Sequence, residues 1–498
     1  MRKQTKVLAA AALFTLGASF SAFAAKTGTW ALEDEGWVCY DADGDAYTDE
    51  WCLSNGKEFY VDSDGIMVAS DWVNDGEDYY FVGSDGTKTI NDWRYVTPYD
   101  DEDADEEWYY FGSKGKLVTS AKKVISGNTY YFDASGVMLT GWVNATNKVE
   151  AEAGMAIADL VYCDENGARV AKDWIKVYEP GVDVEEDDLD DLSQYWYYLG
   201  SSGTPAVGKK ANISGQTYLF DVNGHMLSGW VAEYTYENAE GNDVVAYTKV
   251  GVKDQVATIS TYDAVYFCGD SDDGHVKKAK WIKTWKNTEY NAADDDNDQY
   301  WFYLENDGKV YVPTASESNA ADKYSFKEGA LVEGDAFNFA TRTINKKVYA
   351  FNGEGEMVSG FLKTDAGMYY YGGSNDGARK TGSISIEDDC DTAYKFYFST
   401  ESGSKGVGMT GAKSGKLYED GLLVTSEDYK YADVNVNGKD YIVNASGTIQ
   451  TTNKKYEDGD FCKDLTNNDT QTVTFNDGKT DSTIKGSYTI TPVTTDAE

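Results

Sequence analysis

Two histidines, six cysteines and 85 carboxylates are the side chains with which this chain could do acid–base, nucleophilic or metal chemistry. Their placement argues against each. His225 stands in the turn Gly224-His225-Met226 and His275 follows Gly274, positions that sister segments fill with Val137 and Ile66, so both read as variable surface positions. No C-x-x-C spacing exists, and two histidines are too few for a zinc site. Asp41-Ala-Asp43-Gly-Asp45 begins like a calcium loop, but Ala46 sits where such a loop needs glycine and Cys52 where it needs a bidentate glutamate. A weakly held Ca²⁺ is therefore the one cofactor in play, and no metal site is expected. Carboxylate pairs abound, yet no α/β or barrel pattern is present to hold a glycosidase pair. The chain is expected not to be an enzyme.

What does recur is aromatic. The chain has 39 Tyr, 19 Phe and 13 Trp, with 49 Gly and only 5 Pro. Each unit reads as an aromatic strand, a glycine turn and a short strand, as in Thr129-Tyr-Tyr-Phe-Asp-Ala-Ser-Gly136 and Thr217-Tyr-Leu-Phe-Asp-Val-Asn-Gly224. The turn glycine steps by 21 residues from Gly65 to Gly86, Gly115 to Gly136, Gly203 to Gly224 and Gly308 to Gly329. Asn74-Asp75-Gly76 and Ser126-Gly127-Asn128 supply the positive φ of tight hairpin turns. The aromatic and β-branched flanks suit a pleated, half-buried surface. One hairpin is not stable alone, so each must bury a face against the next, giving a quasi-one-dimensional array.

The units sort into three kinds. The first ends in Met and then Gly-Trp-Val, as at Met138 with Trp142 and Met226 with Trp230, and Trp72 belongs to a variant. The second ends in Trp after a charged residue, as at Trp93, Trp174 and Trp281. The third opens on Trp-Tyr-Tyr or close to it, as at Trp108, Trp196 and Trp301. The order repeats through about four cycles, blurred between Val312 and Asn345. Acidic insertions (100–107, 185–191, 294–298 and 387–389) fall between the second and third kinds. If three hairpins complete one superhelical turn, these loops line up along one edge.

Residues 1–24 read as a signal peptide: a basic start, an apolar run and Ala22-Phe23-Ala24 before cleavage. The net charge is −41, and Arg2, Lys3 and Lys6 leave with the leader, making the exported chain −44. Phosphates are repelled at that charge, so nucleic acid is not an expected partner. Neither is an anionic membrane surface, and no membrane insertion is expected after cleavage. Cys39 and Cys52 are close enough to pair across neighbouring strands, with connectivity left open. Cys163 and Cys268 read as buried thiols on equivalent strands. The expected domains are an N-terminal capping repeat (25–57), a repeat array (58–450) and a C-terminal cap or flexible tail (451–498).

The string from Tyr130 to Val143, Tyr-Tyr-Phe-Asp-Ala-Ser-Gly-Val-Met-Leu-Thr-Gly-Trp-Val, resembles the cell-wall-binding repeats of Gram-positive bacteria. That family includes choline-binding and glucan-binding modules. The resemblance implies an all-β, elongated β-hairpin solenoid with about three hairpins per superhelical turn. It also implies choline held in aromatic cages between hairpins. Carried over, the cages are Trp142, Tyr130, Tyr131 and Met138; Trp230, Tyr218 and Met226; and Trp72, Tyr79 and Tyr80. The partner would be a cell-wall polymer, a choline-bearing teichoic acid or a glucan. The chain would be secreted and held on the wall without covalent attachment, since Thr494 to Glu498 carries no sorting motif. The competing readings are a glucan-binding adhesin, a wall hydrolase with a site hidden in 232–262 or 451–498, and a ligand-free surface-layer component.

Overall fold

The computed structural model of the chain describes residues 25–464 except 77, 183–192, 251–261, 286–298, 428, 453 and 460, together with the strand pairs 473–474 and 480–481. The leader at 1–24 and the insertions at 185–191 and 294–298 lie outside the described residues. So does most of the tail beyond 464. The chain divides between Ala206 and Val207 into two compact units. Both are built of antiparallel hairpins, and no α-helix occurs among the described residues.

In the first unit the strands pair as 29–32 with 37–40, 50–54 with 57–61, 71–74 with 79–82, 92–96 with 107–111, 121–125 with 128–132, 141–144 with 160–163, and 173–177 with 195–199. Two consequences follow for the sequence units. The second and third kinds are the two strands of one hairpin, in which Trp93 pairs with Tyr110 and Tyr95 with Trp108. The acidic insertion between them is that hairpin's tip. The strands flanking 185–191 and 294–298 pair in the same way.

Many of the glycine turns are built by an Asp or Asn side chain. Asp133 Oδ1 accepts from the backbone N–H groups of Ser135 and Val137, at 2.9 and 2.8 Å. Asp62, Asp164, Asp221, Asn352 and Asn444 repeat the pattern. An Asx side chain that mimics a backbone turn explains why Asp or Asn precedes these glycines by three residues, while Gly83, Gly112 and Gly200 hold that place before Gly86, Gly115 and Gly203. Asp41 does the same for Asp43 and Asp45, so the oxygen counted as a calcium ligand caps a turn.

The residue two past the turn glycine then ties the hairpins together. Its N–H donates to a strand carbonyl of the preceding hairpin: Met67 to Trp37, Lys88 to Glu58, Leu117 to Tyr79, Met138 to Trp108 and Arg169 to Thr129, all at 2.8–2.9 Å. In the second unit Val276, Val310 and Arg379 donate likewise to Thr217, Val265 and Val348. The next residue returns to its own strand, as Leu139 does to Tyr131. This gives each hairpin edge a partner that an isolated hairpin lacks. The pattern already operates at 29–40, inside the segment expected to be a cap.

The side chain at that tie position lies under the next turn's glycine. Met67 sits at Gly86, Lys88 at Gly115, Leu117 at Gly136, Met138 at Gly167 and Arg169 at Gly203. In the second unit Met226, Val276, Met357 and Arg379 sit at Gly274, Gly308, Gly377 and Gly406. The period of three is written there. Met recurs at 67, 138, 226 and 357; a cation or Val follows at 88, 169, 276 and 379; Leu, Pro or Val comes third at 117, 205 and 310.

The second unit departs from this array where the sequence is blurred. A 15-residue strand, Ala330–Ile344, pairs with Asn319–Lys327 and with Lys347–Phe351. The inserted hairpin docks on Phe361–Thr364, making a six-stranded sheet. Gly329 is that insertion's tip, so its 21-residue step from Gly308 is not a repeat step. The next repeat turn is at Gly355. Residues 230–237 and 243–249 form a long hairpin, which occupies the described part of the 232–262 segment.

The core is correspondingly a series of small clusters. Tyr131, Leu139, Val143, Val161 and Cys163 form one; Tyr110, Phe132 and Met138 form another. Cys39 and Cys52 are neighbours, as their spacing suggests, but as buried free thiols in hydrogen-bond contact, with Cys52 pushed up by burial. Cys163 is a buried thiol, raised to about 12 by burial.

The glycine requirement is testable. Gly127 has φ +90° with open space around it, whereas Gly167 has φ +76° and a Cβ there would lie 2.3 Å from Met138 Sδ. Gly127→Ala should lose about 1–2 kcal/mol to left-handed strain alone. Gly167→Ala should lose about 1–3 kcal/mol more, because Met138 must move. Urea unfolding of the two variants, followed by tryptophan fluorescence, checks the difference.

Candidate aromatic binding site

Successive strand residues face opposite ways, so Tyr130 and Tyr131 cannot wall one cage. Tyr131 is wholly buried among Leu139, Val143, Val161 and Cys163. Tyr130 is half-buried on the other face, 4.9 Å from Trp93, in the cluster that holds Met138. Trp142 is in neither group. Its ring lies edge-on to Tyr162 and Tyr197, and its Nε1 donates to the Tyr178 carbonyl at 2.9 Å. The expected set of four thus splits, with only Tyr130 and Met138 brought together.

The other two expected sets divide for the same reason. Trp230 is 1% exposed, edge-on to Phe267 and Phe302. Tyr218 faces His275, and Met226 lies under Gly274. Trp72 donates from Nε1 to the Thr97 carbonyl at 2.8 Å and lies edge-on to Phe81, Tyr99 and Tyr109. Tyr79 stacks on Tyr99 at 3.9 Å. Tyr80 is buried on the opposite face, beside Trp51. The first-kind tryptophans share one role. Each meets a ring of the following hairpin at 4.9 Å: Trp72 with Tyr109, Trp142 with Tyr197, Trp230 with Phe302. Edge-to-face packing of this kind builds core.

The open rings belong to the acidic-tipped hairpin. Trp93 and Trp108 stand at 87° with centroids 6.3 Å apart. Trp108 is 44% and Tyr95 50% exposed. Tyr110 from the same hairpin and Tyr130 from the next close on Trp93 at 5.0 and 4.9 Å. Met138, tied to the Trp108 carbonyl, completes the floor. The result is a corner of two perpendicular indoles, two phenols and a thioether, open where Trp108 and Tyr95 meet solvent.

The corner recurs once per three hairpins. Trp174 and Trp196 stand at 86° and 6.4 Å in the first unit, with Tyr198 at 5.2 Å. In the second unit Trp281 meets Tyr303 at 5.2 Å and Tyr349 at 4.8 Å, packs near Met357, and shares its hairpin face with Trp301. Trp301 Nε1 donates to Asn375 Oδ1 at 3.3 Å. At the start of the chain Trp30 meets Phe59 at 5.6 Å, and Trp37 is 43% exposed on the same hairpin. Sequence reading missed these pairs because it treated Trp93 and Trp108 as separate units. Cross-strand pairing through a long tip was the signal that would have joined them.

The tip of the Trp93–Trp108 hairpin is acidic, while Lys123 Nζ lies 5.4 Å over the Tyr110 ring. The tip carries Asp100, Asp101, Glu102, Asp103, Asp105, Glu106 and Glu107. Burial, with Glu150, Asp105 and Asp133 nearby, pushes the Glu107 carboxyl above its usual range. A cation approaching the tip is attracted and an anion repelled.

The remaining chemistry-bearing residues are accounted for structurally. Asp388, Asp389 and Cys390 are the described residues grouped closely enough to hold a metal. Asp388 Oδ1 already accepts from Cys390 and Thr392, Asp388 Oδ2 from Gly329, and Asp389 Oδ1 from Glu328. These carboxylates fasten one hairpin tip to another. His225 is buried rather than exposed, with its Nδ1 3.1 Å from Asp221 Oδ2 inside the turn. His275 lies beside Asp273 and Lys277.

Residues 46–87 and 102–140 each match a family described as a choline-binding repeat. Glucosyltransferase-S of Streptococcus mutans is 24% identical over 270 residues, covering 49% of this chain and 16% of that protein. Glucosyltransferase-I of Streptococcus downei is 30% identical over 286 residues, covering 51% of this chain and 17% of that protein. The chain thus spans about a sixth of the length of these two relatives. Among solved structures, the choline-binding domain of CbpL from Streptococcus pneumoniae aligns with TM-score 0.29 and 23% identity, covering 46% of this chain and all of that one. Choline binding protein F of the same organism aligns with TM-score 0.28 and 18% identity, covering 85% and 99%. Residues 46–87 and 102–140, the first spanning Trp72 and the second Trp108 and Tyr130, are thus the segments of this chain that match the choline-binding repeat.

Proposed function

We propose that this chain is an exported, non-enzymatic wall-binding protein. Its Trp93–Trp108–Tyr130–Met138 corner and the in-phase copies take the quaternary ammonium groups of a choline-decorated polymer. The observation that carries the reading is the pair of perpendicular indoles left open beside an acidic tip. A quaternary ammonium donates no hydrogen bond, so ring faces are what hold it, at roughly 0.5–2 kcal/mol each. One corner binds weakly. Several corners facing one polymer bind together, and linkage of this kind raises affinity by about 10²–10⁴.

A second reading has its own support. About half of this chain aligns with glucosyltransferases, and sugar C–H faces stack on the same rings. Retention on choline-bearing wall preparations separates the two. Release by free choline but not by soluble glucan is the expected result. Release by glucan alone would favour the carbohydrate reading. Retention by neither polymer would leave a ligand-free surface component.

Two substitutions distinguish open rings from core rings. Trp108→Ala should weaken choline binding at its corner about 10-fold, roughly 1.4 kcal/mol. It should leave the thermal midpoint nearly unchanged, because that ring is largely exposed. Trp142→Ala removes a packed indole and its hydrogen bond. It should cost about 3–5 kcal/mol of stability, with choline affinity at the Trp93 corner retained. Calorimetric titration and thermal melts on the same preparations read both effects.

A further inference from the structure

The junction one hairpin before the Trp72 hairpin has the framework of the open corner but a different filling. Trp51 pairs across its hairpin with Tyr60, as Trp93 does with Tyr110. The next hairpin brings Tyr80 to Trp51 as it brings Tyr130 to Trp93. The ring geometry is nearly the same. Trp51 meets Tyr60 at 5.2 Å and 65° and Tyr80 at 5.2 Å and 67°. Trp93 meets Tyr110 at 5.0 Å and 65° and Tyr130 at 4.9 Å and 66°. Two positions differ. Where the open corner has Trp108 as its outer wall, this one has Glu58. Where the open corner has Met138 as its floor, this one has Lys88. The backbone tie between those positions is unchanged, Lys88 N–H to the Glu58 carbonyl at 2.9 Å.

The Lys88 ammonium has moved into the space between the rings. Its Nζ lies 3.9 Å from the Trp51 centroid, 4.3 Å from the Tyr80 centroid and 2.8 Å from Glu58 Oε2. The Lys88 side chain is 8% exposed. A buried ammonium is tolerable only with a counter-charge and compensating contacts, and Glu58 and the two ring faces supply them.

We propose that the Trp51 junction is a small-ammonium site occupied in cis by Lys88, and that this substitution keeps external ammonium groups out of it. The ligand class it takes once vacated is a methylated ammonium. In the next cycle the equivalent tie position is Arg169, whose guanidinium reaches the Tyr131 hydroxyl. In the fourth it is Arg379, hydrogen-bonded to Tyr371 and 5.5 Å over Tyr369. A resident cation thus stands at this phase in three of the four cycles, with Val276 in the other, while methionine marks the junction beside the open indoles. The residue under the turn glycine decides which junctions accept a guest.

This inference rests on the reading that aromatic corners of this chain take ammonium groups, and the test keeps the two apart. Lys88→Met places at this position the residue found at 67, 138, 226 and 357, under the same kind of glycine. The full chain and the variant are titrated with tetramethylammonium and with choline, and the number of bound ligands per chain is counted by calorimetry and methyl NMR. The variant should bind one more ligand than the unaltered chain, with Glu58 serving as its counter-charge. Lys88→Met with Glu58→Gln should lose most of that added affinity. An added ligand in the variant, even where the unaltered chain binds none, upholds the proposal while removing the wall-polymer reading. A folded variant with no added ligand overturns it. If Lys88→Met fails to fold, Lys88→Leu repeats the count with the side chain found at Leu117, and the same outcomes apply.

Discussion

One backbone hydrogen bond recurs through this architecture and the rest depends on it: the N–H two residues past a turn glycine, given to a carbonyl of the hairpin before. The turn at Gly203 goes without it, since Pro205 has no N–H to give. A single hairpin leaves both edges unpaired and buries little, so it has no stability of its own. The tie removes an edge and sets the distance between neighbours. Once that distance is fixed, the side chain at the tie position is trapped beneath the following turn, and only glycine fits above it. Hydrogen bond, glycine and trapped side chain form one constraint repeated along each unit. That is why stability is distributed in small clusters rather than gathered in one core.

The same constraint sorts the aromatic rings. With spacing fixed, a tryptophan that meets large rings across its strand and on the following hairpin, with no second indole on its own hairpin, is held edge-on within the array. Trp72, Trp142 and Trp230 are of this kind. A tryptophan becomes a wall when its own hairpin carries a second indole two residues along the facing strand. Trp93 with Trp108 and Trp174 with Trp196 are of that kind. The acidic tips belong to these hairpins, so charge and open rings are delivered by one element. No loop has to find its way to the site.

Much of this was legible in the residues. Recurring aromatics, evenly spaced turn glycines and a period of three point to stacked hairpins, because each has a local physical cause. The resemblance groups the recurring Met with the tryptophan four residues after it. The structure gives Met138 to Trp93, a hairpin earlier. Local spacing cannot reveal that partner, since the tie joins residues of different hairpins. Likewise Tyr130 and Tyr131 look equivalent in a string and are opposite on a strand. The inserted hairpin at 319–344 mimicked the repeat at Gly329 because any two-residue turn prefers glycine. The buried state of His225 was hidden by its turn position, where Asp221 holds it.

Cation and ring meet at many points in this acidic chain, and mostly within the chain itself. Besides Lys88, Lys209 lies 4.8 Å over Tyr266 and Arg342 lies 4.3 Å over Tyr311, beside Glu305. With 85 acids against 44 bases, the few cations placed under turns are spent on cohesion as much as on charge balance. A ring face presented to the interior needs a positive or apolar cover, and the chain supplies it wherever a lysine, arginine or aliphatic side chain occupies the tie position. Methionine covers the floor without reaching the mouth, because it carries no charge to be drawn across the rings. Between the Trp51 junction and the Trp93 corner two side chains differ, Lys88 for Met138 and Glu58 for Trp108, against an unchanged backbone tie.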